Sequence, residues 1–114
     1  MPNDLLHPLA FGFLDSIVIN LFAVPKNQRI ALTALRFHNE SDTDTNVYAA
    51  ILRGGKTLKL TPGSAMMSLK AGHTVELLEA DFQITLDENT FILGYADTRN
   101  RVSFILDGKV DQSV

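Results

Sequence analysis

Ile30–Arg53 reads IALTALRFHNESDTDTNVYAAILR, and its pattern decides the fold class. Two apolar runs, Ile30–Phe37 and Val47–Arg53, flank a polar, acidic loop, His38–Asn46. In the first run Ala31, Thr33, Leu35 and Phe37 fall on one side, with Ile30, Leu32, Ala34 and Arg36 on the other. In the second, Val47, Ala49 and Ile51 alternate with Tyr48, Ala50 and Leu52. A period of two is the signature of a strand, whose successive side chains point to opposite faces. The stretch therefore predicts a central pair of strands joined by an exposed loop.

The loop contains Asp42-Thr43-Asp44-Thr45-Asn46, the spacing of the first three ligands of an EF-hand calcium loop. Such a loop also needs Gly at its sixth position for the sharp turn and Glu at its twelfth for bidentate oxygens. Those positions hold Val47 and Arg53, both in the predicted second strand. The loop reads as a solvated docking loop and not as a metal site.

Outward from this centre the chain repeats the same grammar. Ser16–Val24 is a strand rich in β-branched residues, broken by Pro25-Lys26-Asn27-Gln28. Gly54-Gly55-Lys56 signals a hairpin into Thr57–Leu60. Pro62-Gly63 turns into Ser64–Leu69, and Lys70–His73 turns again. Thr74–Glu79 suits a strand or a helix, and the close turns on both sides favour the strand. Phe82–Leu86, Phe91–Ala96 and Val102–Leu106 follow, separated by Asp87-Glu88-Asn89 and Asp97–Asn100, with Asp107-Gly108 closing the last. Roughly seven to nine short strands at intervals of roughly 8–12 residues predict an all-β, antiparallel, jelly-roll-like β-sandwich. We expect one such domain over residues 16–114. Residues 1–15 are expected to form an irregular N-terminal arm, since Pro2, Pro8 and Gly12 interrupt it.

Composition narrows the function classes. With 114 residues, 46% apolar and 20% charged, the chain suits a single globular domain. A net charge of −3 offers no basic field for nucleic acid. No apolar segment approaches the ~18–20 residues needed to cross a bilayer, so no membrane partner is expected. The run Leu9–Leu14 lacks the basic start and small-residue cleavage pattern of a signal peptide. The chain has no cysteine, which removes disulfides, thiolate nucleophiles and thiolate metal sites.

The search for chemistry is nearly empty. His7, His38 and His73 lie in different predicted segments, and only His38 and Glu40 share a strand face, fewer ligands than zinc takes. No Gly-x-Ser-x-Gly elbow is present, and Gly54-Gly55-Lys56-Thr57 lacks the earlier glycine and following helix of a phosphate loop. The carboxylates Glu76, Glu79, Asp81, Asp87 and Glu88 sit mostly at turns, with no tryptophan for a sugar to stack on. We therefore expect no catalytic residue, no metal and no cofactor, and a role in binding or assembly.

Three stretches carry a resemblance: Val24-Pro25-Lys26-Asn27-Gln28-Arg29 running into Ile30–Phe37 and Asn39-Glu40-Ser41; Leu69–Leu77, LKAGHTVEL; and Val102–Gly108, VSFILDG. Together they resemble small β-sandwich structural proteins of tailed-bacteriophage virions. The resemblance covers about Phe22–Lys109, while Met66-Met67 and the phenylalanines near the N-terminus depart from the family's small-residue pattern. It implies a non-enzymatic virion protein, assembled in the host cytoplasm. Foremost it implies a capsid decoration or cement protein that binds the major capsid protein or other virion proteins, as a homo-oligomer and by preference a trimer. A neck, tail or fibre-base component is the alternative within that class. A carbohydrate- or calcium-dependent binding module is the alternative outside it. The residues expected at the protein interface are Leu5, Leu6, Leu9, Phe11 and Phe13 of the arm, with His38, Glu40, Asp42 and Asp44 of the loop.

Overall fold

The structure, a computed structural model, describes residues 8–61, 66–77 and 84–111. These form ten strands: β1 (Pro8–Phe13), β2 (Ile19–Ala23), β3 (Arg29–Asn39), β4 (Thr45–Arg53), β5 (Lys56–Lys59), β6 (Met67–Leu69), β7 (Thr74–Glu76), β8 (Ile84–Leu86), β9 (Thr90–Ala96) and β10 (Val102–Asp111). No helix occurs among the described residues. All pairings are antiparallel, in two sheets. One has the order β1-β10-β3-β7 with β8 also beside β3, and the other β2-β9-β4-β5 with β6 also beside β4. If β5/β6 and β7/β8 are each counted as one interrupted strand, this is the eight-strand winding of a double-sheet jelly roll. The sandwich expected from the sequence is the observed architecture.

The core lies between the two inner faces. Leu14, Leu32, Leu35, Phe37, Val47, Ile92, Val102 and Leu106 are fully excluded from solvent. Full burial of one such large side chain contributes ~1.5–3 kcal/mol. The alternation expected for β4 holds, with Val47, Ala49 and Ile51 in the core cluster.

In β3 the expected alternation fails, for a definite reason. Ile30 and Leu32 point inward, and so do Leu35, Phe37 and Asn39. The parity changes because β10 pairs Asp107 with Ala34 but Gly108 with Leu32, leaving Thr33 as an extra residue on β3. This is a β-bulge. It separates the two neighbours of β3's other edge, β8 opposite Ile30–Leu32 and β7 opposite Arg36–His38.

Gly108 therefore has a different role from the one expected. The Asp107-Gly108 pair does not close the last strand, which continues to Asp111. A Cβ at Gly108 would stand 2.7 Å from the Ala31 carbonyl oxygen and 2.6 Å from Leu9 Cδ1. Glycine is needed there because another backbone comes close.

The segment expected to be irregular also supplies a strand. Pro8 stands at the first residue of β1, an edge strand, where its missing N–H costs no ladder bond. Beyond β1, Leu14 N–H donates to the Val102 carbonyl at 2.8 Å, Asn100 N–H to the Leu14 carbonyl at 3.1 Å, and Ala96 N–H to the Asp15 carbonyl at 2.9 Å. These bonds carry the chain from one sheet to the other.

The Gly54-Gly55 turn matches its predicted chemistry. Gly54 and Gly55 both have positive φ, as a two-residue hairpin of the primed type requires. The Pro62-Gly63 turn, Leu78–Glu79 and Phe82 lie outside the described residues.

Candidate interaction surface

At one end of the sandwich the β3–β4 loop is organised by Asn39, which is fully buried at the end of β3. Its amide donates to the carbonyls of Thr43 at 2.8 Å and Leu69 at 3.0 Å. Its Oδ1 accepts from Ser41 N–H at 3.0 Å and Ser41 Oγ at 2.7 Å. All its hydrogen-bonding capacity toward the loop is used. Asn39-Glu40-Ser41 has the form of a glycosylation acceptor, but a side chain held this way is closed to modification in the folded protein.

The calcium-like run is dispersed by the same geometry. Asp44 Oδ1 accepts the Ala71 N–H at 3.0 Å, tying the loop to the β6–β7 turn. Asn46 turns its amide to Asp97 Oδ2 at 2.8 Å, and Thr45 is buried in β4 with its hydroxyl bonded to Asp97. Asp42 is exposed. Partial burial acts to raise the Asp97 pKa. Hydrogen bonds from the Thr45 hydroxyl, the Asn46 backbone and side-chain amides and its own N–H outweigh this and hold it below its ordinary value.

His38 belongs to β3 rather than to the loop, which spans 40–44. It lies on the outer sheet face in a row with Ser103 and Thr74. His38 Nδ1 and Thr74 Oγ1 are 2.7 Å apart, while Glu40 Oε2 accepts from Ser103 Oγ at 2.7 Å. His38 Nε2 and Glu40 Oε1 are 4.0 Å apart, beyond hydrogen-bond length. Hydroxyl, imidazole and carboxylate thus meet on an open surface, but the carboxylate orients a serine and not the imidazole. The relay of a hydrolase triad is not formed. On the same face Arg36 bridges Glu76 and Asp107, each at 3.0 Å.

The arm divides by face. Leu9 is half-buried and packs on the core, whereas Phe11 and Phe13 are 74% and 50% exposed on the outer face. Phe11 sits opposite Ile105 of β10, itself exposed, and Ile17 and Val18 in the β1–β2 connection are exposed as well. Five of the seven large exposed hydrophobic residues among those described therefore lie on or next to β1; Leu58 and Val110 are the other two. Leu5 and Leu6 lie outside the described residues. The sequence named Phe11 and Phe13 but not Ile17, Val18 and Ile105, which it placed in the strands Ser16–Val24 and Val102–Leu106 without marking them as exposed.

At the opposite side, a groove of about 340 Å³ is lined by Ile51, Leu58 and Leu86 below Arg53, Lys56 and Thr57. Arg53 and Arg29 both bind the Asp87 carboxylate, at 2.8 and 3.2 Å, clamping the two sheets together. Among the described residues no ionisable side chain is buried in the core; its buried polar residues are Asn39, Thr45, Thr61 and Thr90.

The fold and these surfaces define an all-β jelly-roll domain with one apolar, solvent-facing sheet edge. No protein-family model and no curated protein sequence matches the chain.

Proposed function

We propose that this protein is a non-enzymatic virion structural protein of a tailed bacteriophage. Its most fitting role is that of a capsid decoration or cement protein that binds neighbouring capsid subunits and stabilises the shell. The observation that carries this reading is the apolar patch of Phe11, Phe13 and Ile105 beside β1 on an otherwise polar, ion-paired outer face. Contiguous exposed apolar surface marks sites of protein association. The jelly-roll winding supports the reading by analogy, because viral capsid domains use it; lectins use it too. The turn and strand stretches of Val24–Ser41, Leu69–Leu77 and Val102–Gly108 support it by resemblance.

In this role the domain works as a rigid wedge. Burial of phenylalanine rings against a shell protein drives binding, and the Asn39-anchored loop at the end of the sandwich adds polar contacts that fix orientation. Co-sedimentation with capsids of the same phage tests it. Saturable pelleting that is lost in Phe11→Ser/Phe13→Ser is the expected result, and a chain that stays in the supernatant at all concentrations refutes it. A neck, tail or fibre-base position is the second reading within the same class, and it predicts binding to tail assemblies with none to shells.

A further inference from the structure

We propose that β1 is a self-pairing edge, through which two copies of this chain join their β1-containing sheets into one continuous sheet across a two-fold axis at Gly12. This inference does not need the virion reading, but it uses the same Phe11 and Phe13 rings, so a second copy and a shell protein compete for this edge.

The main chain sets the register. Leu14 N–H points to β10, where it meets the Val102 carbonyl. Successive residues of a strand present their N–H and C=O groups to alternate sides. Gly12, opposite Phe104, therefore directs its groups to β10, and Phe11 and Phe13 direct theirs away, toward the side where β1 has no neighbour among the described strands. Two donors and two acceptors, spaced two residues apart, are self-complementary in one antiparallel register. Phe11 faces Phe13 of the second copy and Phe13 faces its Phe11, closing four main-chain hydrogen bonds with Gly12 opposite Gly12. The same register brings each exposed ring beside a ring of the other copy on the outer face, and aromatic cross-strand pairs of this kind stabilise sheets.

Charge selects this edge and this occupant. A two-fold axis brings identical groups together, so a strand that pairs with itself must avoid like charges. Residues 8–14 carry none. The other edges are protected by the usual devices. Lysines 56 and 59 stand on β5. Strands β6, β7 and β8 have three residues each, and β2 is bulged at Leu21. Strand β1 has its own bulge at Leu9 and a proline at Pro8, but both precede the Phe11–Phe13 segment that pairs. The four phenylalanines of a pair bring roughly 500 Å² of exposed ring surface. That is below the ~1,200 Å² of a standard stable interface, which points to a reversible dimer dissociating at micromolar concentration.

Sedimentation velocity of the full chain from about 1 to about 500 µM tests this. The expected result is a shift from 12.6 kDa toward twice that mass. Phe11→Lys should remove it, weakening association at least about 30-fold, while Leu58→Lys on the opposite edge should leave it unchanged. The far-UV circular dichroism of both variants should match the parent. Because the chain has no cysteine, register is read directly by mixing Phe11→Cys with Phe13→Cys under mild oxidation. A hydrogen-bonded pair has Cα atoms ~5.5 Å apart, within disulfide reach. The mixed disulfide should exceed either homodimer severalfold. A monomer at all concentrations, a trimer, association that survives Phe11→Lys, or equal cross-linking of all combinations would overturn the proposal.

Discussion

Replacing Asn39 by alanine removes the two hydrogen bonds that hold the β3–β4 loop to the sandwich from within, and its cost can be worked from the geometry. The Leu69 carbonyl loses a buried donor at 3.0 Å. The Thr43 carbonyl loses one at 2.8 Å but can accept the Ser41 hydroxyl, 2.9 Å away, once Asn39 Oδ1 no longer takes it. The Ser41 N–H loses its acceptor at a position water can reach. At ~1 kcal/mol per buried bond, with a further contribution from the stranded Leu69 oxygen, Asn39→Ala should cost about 2–3 kcal/mol. For a domain of this size that is a fall in Tm of roughly 8–12 °C. Asn39→Asp is the sharper comparison, because it keeps an acceptor for Ser41 but turns an oxygen toward two carbonyls. Burial and those carbonyls raise its folded pKa above the unfolded ~3.9, so the penalty is full at neutral pH and is relieved as pH falls through the folded pKa. Urea denaturation followed by far-UV circular dichroism, at pH 7 and near pH 4, reads both effects. A loss below ~1 kcal/mol for Asn39→Ala, or an Asn39→Asp protein as stable as the parent at pH 7, would show that Asn39 does not anchor the loop.

Three further outcomes follow from the packing and the charges. Gly108→Ala puts a Cβ against the Ala31 carbonyl and Leu9 and should cost ~1–3 kcal/mol by overpacking; an unchanged urea midpoint would contradict the close approach. Thr90→Val replaces a buried hydroxyl with no hydrogen-bond partner among the described residues. It should raise stability by up to ~1 kcal/mol, read as a higher urea midpoint with unchanged slope. Asp97 has its folded pKa below the ordinary 3.8, so its contribution is present above the unfolded value and is lost as pH falls through the folded one. Asp97→Asn should therefore flatten the acid limb of the stability–pH profile, and an acid limb as steep as the parent's would contradict the assignment.

The all-β class was legible because Val47, Ala49 and Ile51 fall on one side of β4, the short apolar runs are separated by closely spaced turns, and Gly54-Gly55 marks a hairpin. The strand order was not, since β1 and β10 pair from opposite ends of the chain and nothing local encodes that contact. In β3 the sequence ALTAL misleads, because small Ala31, Thr33 and Ala34 fit either face and conceal the parity change at the bulge. Gly108 resembled a turn because Asp-Gly is a turn signal; its real constraint is a neighbouring backbone that no linear pattern shows. Of the candidate site, Phe11 and Phe13 stood out as apolar residues in an unlikely segment. Pro8 and Gly12 hid that the segment is a strand, and Asn39 gave no sign of the buried anchor it becomes.

As proposed above, this domain is a shell component that binds its neighbours through an apolar edge. Quantitative mass spectrometry of purified phage particles measures it most directly. A shell component should be present in hundreds of copies per particle, in fixed ratio to the major capsid protein. Absence from intact particles would contradict it.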